Sequence, residues 1–161
     1  MYLKLSMLRN KYDKTDRYFE EFKVGQIYKH NARKTITGAE HRQFCELTLN
    51  YHPLHWDETY AKLSNFGRIV VVGTYVASIA VGISVPDISV NAIANLDYEK
   101  IDHLVPVFEG DTLQAETEIL EIRESRSKPD RGIIFVETRL YNQHNDKVLS
   151  LRRHVLIPKK V

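Results

Sequence analysis

The chain has 161 residues, of which 43% are hydrophobic and 27% are charged, and its formal net charge at pH 7 is +2. These values are typical of one globular domain, because a chain of this length can bury about two thirds of its unfolded surface. The small net charge, with basic and acidic residues intermixed, argues against nucleic acid as a partner.

The N-terminal residues 1–17 are polar and basic without a clear period, which predicts a loose arm, or a segment that docks on a partner, ahead of one domain over residues 18–161. The stretch 1–8 is too short and too polar for the apolar part of a signal peptide. The single cysteine, Cys45, excludes an internal disulfide and fits a reducing compartment. We therefore expect a cytoplasmic protein.

A strand is predicted at about 26–36, and a helix follows it. The helix starts at a capping box, in which the Thr37 hydroxyl can accept from the backbone N–H of Glu40 and the Glu40 carboxylate can reach back. Its apolar positions recur at three- and four-residue spacing and end near Leu49. A second, shorter helix is expected at about 58–64.

The longest apolar run extends from Ile69 to Val85 and is slightly short for a membrane span. It ends at Pro86 and Asp87, and from Gly73 onward its small and apolar residues predict a helix that is apolar nearly all round. Such a helix must be surrounded by protein. We therefore expect a buried central helix from Gly73 to about Val85, and no membrane partner.

The second half of the chain has the pattern of long strands separated by turns. Because strands and helices occupy separate parts of the chain, the order predicts an α+β fold in which one antiparallel sheet wraps around the apolar helix. The predicted strands are residues 92–102, 112–125, 132–142 and 147–157.

The loop between the first two helices reads Asn50-Tyr51-His52-Pro53-Leu54-His55. Pro53 fixes its own φ and favours an extended conformation at His52. The loop is therefore constrained, and it presents Asn50 and His55 between two packed elements, where catalytic groups are often held.

This loop resembles the signature of the MaoC-like, (R)-specific enoyl-CoA hydratases and dehydratases, which is roughly Gly-Asp-x-Asn-Pro-Leu-His. The family has an aspartate two residues and an alanine six residues after the histidine, and Asp57 and Ala61 occupy those positions after His55. Gly73 follows His55 by eighteen residues, where the family has the glycine that opens its central helix. The resemblance implies the hotdog fold.

The resemblance covers residues 19–157, and the stretch 106–113 is similar to the family's entry into a long strand. The stretches 82–85, 123–129 and 142–143 resemble a branch of mesaconyl-CoA hydratases. That branch implies a short acyl group with a carboxylate.

The family resemblance implies reversible hydration of an α,β-unsaturated acyl-CoA, or dehydration of a 3-hydroxyacyl-CoA. Coenzyme A is then part of the substrate, and no other cofactor and no metal is expected. The resemblance makes His55 the acid–base group and the backbone N–H of Gly73 the oxyanion donor, with Val72, Thr74 and His52 beside the substrate. The first N–H groups of a helix lack intrahelical partners and lie at its positive end, which suits an oxyanion.

The chain departs from the family signature at positions that matter for proton transfer. Asn50 stands where the family has aspartate, His52 stands where it has asparagine, and Val72 replaces a histidine. Because an amide cannot take a proton from water, three alternatives remain. His55 acts alone with Asn50 orienting the water, His52 supplies the missing base, or the site binds thioesters without hydrating them.

Two other functions compete with hydration. A hotdog thioesterase would need a carboxylate near the thioester carbon, and the loop has none. A non-catalytic thioester-binding or partner subunit is favoured by the lost aspartate and opposed by the retention of Pro53, His55 and Gly73. In each case the fold implies a homodimer or a higher homo-oligomer, with the site near the subunit interface.

The remaining titratable residues are assigned ordinary roles. The basic turn at 123–131 is interpreted as a solvated hairpin, and Cys45 as an unreactive thiol in a helix. His52, His55 and Asp57 do not match common zinc spacings. The other histidines are expected to be surface or strand residues, namely His30, His41, His103, His144 and His154.

Overall fold

The computed structural model describes residues 17–160. The predicted N-terminal arm therefore lies outside the described residues except for Arg17, whose guanidinium donates to the backbone carbonyl of Asp87 at 2.9 Å. The helices and strands are, in chain order, β1 (Ile27–Thr35), α1 (Gly38–Thr48), α2 (Glu58–Leu63), α3 (Gly73–Ser84), β2 (Ala94–His103), β3 (Thr112–Glu124), β4 (Arg131–Tyr141) and β5 (Lys147–Pro158). Short 3₁₀ turns occupy Phe19–Glu21 and Pro53–His55.

The five strands form one antiparallel sheet in the order β1-β3-β4-β5-β2. Buried and partly exposed residues alternate along most of β3 and β5, so one face of the sheet is covered. β1 and β2 are the two edge strands. The prediction of an α+β fold with one antiparallel sheet around one helix is confirmed.

The helix α3 is the element that the sheet wraps around. Its side chains Val76, Ala80 and Ile83 are buried in a cluster that includes Leu113 and Leu149 from the sheet. The helix begins at Gly73 as predicted and continues into a π-helical turn at Val85–Ser89. Pro86 is the second residue of this turn, a position near a helical start where the missing N–H of proline is tolerated.

A buried polar chain joins the end of the central helix to the sheet. His30 Nδ1 lies 2.8 Å from Asp87 Oδ2, and its Nε2 lies 2.8 Å from Thr117 Oγ1. Thr117 in turn lies 2.9 Å from the Thr138 hydroxyl. His30 is a strand residue, as predicted, but it faces inward, and each of its nitrogens has a partner as burial requires.

The helix α1 ends near Leu49, as predicted. Leu49 adopts the left-handed conformation that terminates the helix, with a φ of 57°. The backbone N–H of Asn50 donates to the carbonyl of Cys45 at 2.9 Å, which also closes the helix end. Among the helices of residues 17–160, none is long and apolar enough to cross a bilayer.

Candidate active site

The loop after α1 is held by hydrogen bonds at both ends. His52 caps the 3₁₀ turn, because its Nδ1 accepts from the backbone N–H of Leu54 at 3.3 Å. The Asp57 carboxylate accepts from the N–H groups of Thr59 and Tyr60 at 2.8 and 3.1 Å, and so caps α2. These caps fix the backbone on either side of His55.

The imidazole of His55 is oriented by one short hydrogen bond. Its Nδ1 lies 2.6 Å from the backbone carbonyl oxygen of Val70. Since a carbonyl oxygen only accepts, Nδ1 carries the proton in the neutral ring, and Nε2 keeps its lone pair. His55 therefore presents a base whose tautomer is set by the main chain.

The start of α3 has two backbone N–H groups without a partner. The Val72 carbonyl already accepts from the N–H groups of Tyr75 and Val76 at 3.0 and 3.2 Å. For the N–H groups of Gly73 and Thr74, residues 17–160 provide no acceptor. These two groups lie at the positive end of the helix dipole and suit a developing negative charge.

His41 holds the residue that precedes α3 in place. Its Nε2 accepts from the backbone N–H of Val72 at 3.1 Å, and its Nδ1 lies 3.2 Å from Glu109 Oε1. The ring is fully buried, and burial lowers the pKa of His41 below its usual value. The neutral ring can therefore accept from Val72 and donate from Nδ1–H to Glu109. The prediction that His41 is a surface or strand residue is wrong, since it lies on the buried face of α1.

His55 and Gly73 face one shared pocket of about 370 Å³. Most of its wall is apolar, so charges inside it interact more strongly than in water. Of the residues that the structure describes, no acidic side chain is part of the lining. The other lining residues are Phe66, Val70, Val71, Val76, His103, Leu104, Val105, Pro106, Val107 and Val148.

A second histidine, His103, lies in the same pocket. A Cβ atom built on Gly73 would be 2.7 Å from Cε1 and 2.8 Å from Nε2 of this imidazole. The ring therefore packs directly against the Cα of Gly73, and a side chain at position 73 would push it aside. His103 is the last residue of β2, and only the fold brings it to a helix thirty residues earlier. The sequence pattern carried no signal for this contact.

The other residues predicted for the site, Asn50, His52, Val72 and Thr74, are not part of the lining of this pocket. The Asn50 side-chain oxygen accepts weakly from the His52 N–H, at 3.5 Å. His52 is exposed, Val72 is buried, and Thr74 lines a separate groove between α3 and β2. Within residues 17–160 no group of three or more histidine, cysteine or acidic side chains is placed to hold a metal ion.

Comparison with known proteins identifies relatives along most of the chain. Residues 20–138 match the model of the MaoC like domain. A mesaconyl-CoA hydratase of Cereibacter sphaeroides is 34% identical over 144 residues, which are 89% of this chain and 42% of that protein. The chain thus spans less than half of this relative's length.

A shorter relative and a solved structure agree with this match. An (R)-specific enoyl-CoA hydratase of Aeromonas caviae is 30% identical over 77% of this chain and 87% of its own length. A Mycobacterium tuberculosis protein described as having a double hotdog fold superposes with a TM-score of 0.81 at 20% identity, over 89% of this chain and 44% of that chain. The fold is therefore a hotdog fold, and the chain belongs to the family of proteins with a MaoC-like domain.

Proposed function

We propose that the protein catalyses the reversible hydration of an α,β-unsaturated acyl-CoA, which in the other direction is the dehydration of a 3-hydroxyacyl-CoA. One observation carries the proposal: the pocket lined by His55 is also lined by Gly73, the first residue of α3, whose N–H has no acceptor among residues 17–160. The names of the two relatives, both CoA hydratases, support it. Coenzyme A enters as part of the substrate, and no other cofactor or metal is invoked.

In the proposed reaction, His55 Nε2 takes a proton from water as the oxygen adds to the β-carbon of the enoyl group. The thioester oxygen accepts from the N–H of Gly73, which stabilises the enolate that forms. Removing one such donor typically slows a reaction by about 10²–10³-fold. Neighbouring Val72 cannot be a second donor, because its N–H is already bonded to His41.

Asn50 is proposed to orient the attacking water. Within the described part of the chain its carboxamide is held by one 3.5 Å hydrogen bond, from the His52 N–H, so a modest rotation would free it. Its backbone carbonyl accepts from the Trp56 indole at 2.9 Å, which fixes the loop while the side chain turns. Asn50 can accept from or donate to water but cannot remove its proton.

The pocket favours a short acyl group. Its volume of about 370 Å³ is near the lower end of the roughly 300–1,000 Å³ of ligand sites. The similarity to a mesaconyl-CoA hydratase also points to a short, branched acyl chain. Crotonyl-CoA and mesaconyl-CoA are therefore the substrates to test first.

We also propose that the protein acts in the cytoplasm as a homodimer that joins through β2. Among the strands of residues 17–160 this strand pairs only with β5, so its other edge has backbone groups that no described strand pairs. Its side chains Leu96, Tyr98 and Ile101 are exposed, as is Leu104 beside the pocket. A second copy paired along this edge would cover these side chains and narrow the mouth of the pocket.

The assay that tests the function follows the enoyl absorbance and the free thiol of crotonyl-CoA and mesaconyl-CoA with purified protein. Loss of enoyl absorbance without release of thiol supports hydration. Release of thiol instead would identify a thioesterase, for which the pocket supplies no carboxylate. Binding of both thioesters without either change would identify a non-catalytic subunit and overturn the proposed reaction.

A further inference from the structure

We propose that His103 is a second catalytic residue of this pocket, whose protonated imidazole delivers the proton to the α-carbon of the acyl thioester. The inference rests on the hydratase function proposed above. It assigns the second proton transfer of the reaction to a residue outside the loop around His55.

The position of His103 follows from the sheet. Its backbone pairs with Leu149 in β5, and the next residue, Leu104, donates its N–H to the Val148 carbonyl at 3.0 Å. The end of β2 is thus fixed beside the start of α3. The ring edge formed by Cε1 and Nε2 faces the Cα of Gly73. A thioester oxygen bound to the Gly73 N–H would lie in the same pocket as this edge, and the proposal places the adjacent α-carbon within reach of Nε2.

The nitrogens of the His103 ring are also available for proton transfer. Within residues 17–160 neither nitrogen of His103 is hydrogen-bonded to another protein group, in contrast to His30, His41 and His55. The other titratable side chain in the pocket lining is His55. Asp102, the residue before His103, pairs its carboxylate with Lys100 at 2.9 Å.

Hydration requires one base for water and one acid for the α-carbon. Asn50 stands where the family signature has an aspartate, and an amide can act neither as the base for water nor as the acid for the α-carbon. The rest of the pocket wall is apolar apart from its two histidines and backbone groups. His55 as the base and His103 as the acid therefore supply both groups, and both residues lie in the pocket.

The balanced steps are as follows. His55 Nε2 accepts a proton from water, the oxygen bonds to the β-carbon, and the π electrons move to the thioester oxygen as an enolate. The enolate then forms a C–H bond at the α-carbon with the proton of the His103 imidazolium, which becomes neutral. One proton passes from His55 to His103 through solvent to restore the starting state, and dehydration is the reverse sequence.

The test compares His103→Gln with wild type in the crotonyl-CoA and mesaconyl-CoA assays across pH. Glutamine keeps the hydrogen-bonding capacity but cannot carry the proton. Since general acid catalysis contributes about 10²–10⁴-fold, we expect a kcat loss of that size and loss of the alkaline limb of the pH profile. Binding of butyryl-CoA, a saturated thioester that cannot be hydrated, should be unchanged.

The matched control is His144→Gln, which changes an exposed histidine outside the pocket and should behave as wild type. If wild type is active and His103→Gln has unchanged kinetics, the role of His103 is overturned while the hydratase function stands. A reduced kcat with both limbs of the pH profile intact would also overturn it, because His103 would then only position the substrate. An inactive wild type would overturn the hydratase function itself.

Discussion

The Nε2 atom of His41 accepts a hydrogen bond from the backbone N–H of Val72, with 3.1 Å between the two nitrogens. This contact joins the buried face of α1 to the residue that precedes the central helix. This hydrogen bond occupies the N–H just before Gly73 and anchors the turn, so the N–H of Gly73, which lines the pocket, follows without an acceptor among residues 17–160. The geometry of the proposed oxyanion site therefore depends on a fully buried histidine that does not itself line the pocket.

Replacing His41 by leucine should destabilise the fold. The Val72 N–H would remain buried without an acceptor, which typically costs about 1–3 kcal/mol. His41→Gln is the control, because its side-chain oxygen can reach the position of Nε2. Urea unfolding of the three proteins measures the difference, and a His41→Leu variant as stable as wild type would show that this hydrogen bond contributes nothing net.

The same histidine should make stability depend on pH. Burial lowers the pKa of His41 in the folded state, whereas in the unfolded chain it stays near 6.5. Below that pH the unfolded state binds a proton that the folded state resists, so the free energy of unfolding falls as the solution becomes more acidic. We expect wild type to lose more stability than His41→Gln between neutral and mildly acidic pH, and equal slopes in urea titrations would refute this.

Alanine at Gly82 should raise the stability of the protein, whereas alanine at Gly73 should lower kcat. At Gly82 a Cβ meets open space, so Gly82→Ala should raise stability by up to about 1 kcal/mol through helix propensity and leave kcat unchanged. At Gly73 the methyl group would collide with the His103 ring. We expect Gly73→Ala to displace the exposed imidazole and lower kcat by tenfold or more, equivalent to about 1.4 kcal/mol in the barrier.

Kinetics and thermal unfolding of the two variants decide this prediction. Equal kcat values for Gly73→Ala and Gly82→Ala would mean that the contact between Gly73 and His103 has no role in turnover. A crystal structure of Gly73→Ala would show directly whether the ring has moved.

The proposed dimer can be tested at the two edges of the sheet. Ile101 lies on β2 and is 40% exposed, while Ile27 lies on β1 and is 50% exposed. Lysine at position 101 would place a charge in the proposed interface, and charged residues on an edge strand oppose pairing. By sedimentation analysis we expect Ile101→Lys to shift the protein toward monomer and Ile27→Lys to leave the dimer intact. The reverse result would place the interface on β1.

The sequence predicted the elements well because each has a local cause. The capping residues Thr37 and Asp57 mark two helix starts, and the apolar composition after Gly73 marks the buried helix. Only some residues of the site could be predicted by the same reasoning. His55 lies in a constrained loop with a recognisable signature, whereas His41 and His103 reach the site through tertiary contacts that leave no local pattern.

The choice between His55 and His52 as the base can be settled by a matched pair of variants. His52 is exposed, lies outside the pocket lining, and uses its Nδ1 to cap the turn. His52→Asn should keep that cap, since asparagine is a good capping residue, and should retain wild-type kcat. His55→Gln removes the base that the Val70 carbonyl orients, so kcat should fall by about 10²–10⁴-fold. Steady-state kinetics with crotonyl-CoA measure both variants, and circular dichroism checks that each is folded. A larger loss of activity in His52→Asn than in His55→Gln would disprove the assignment of His55 as the base.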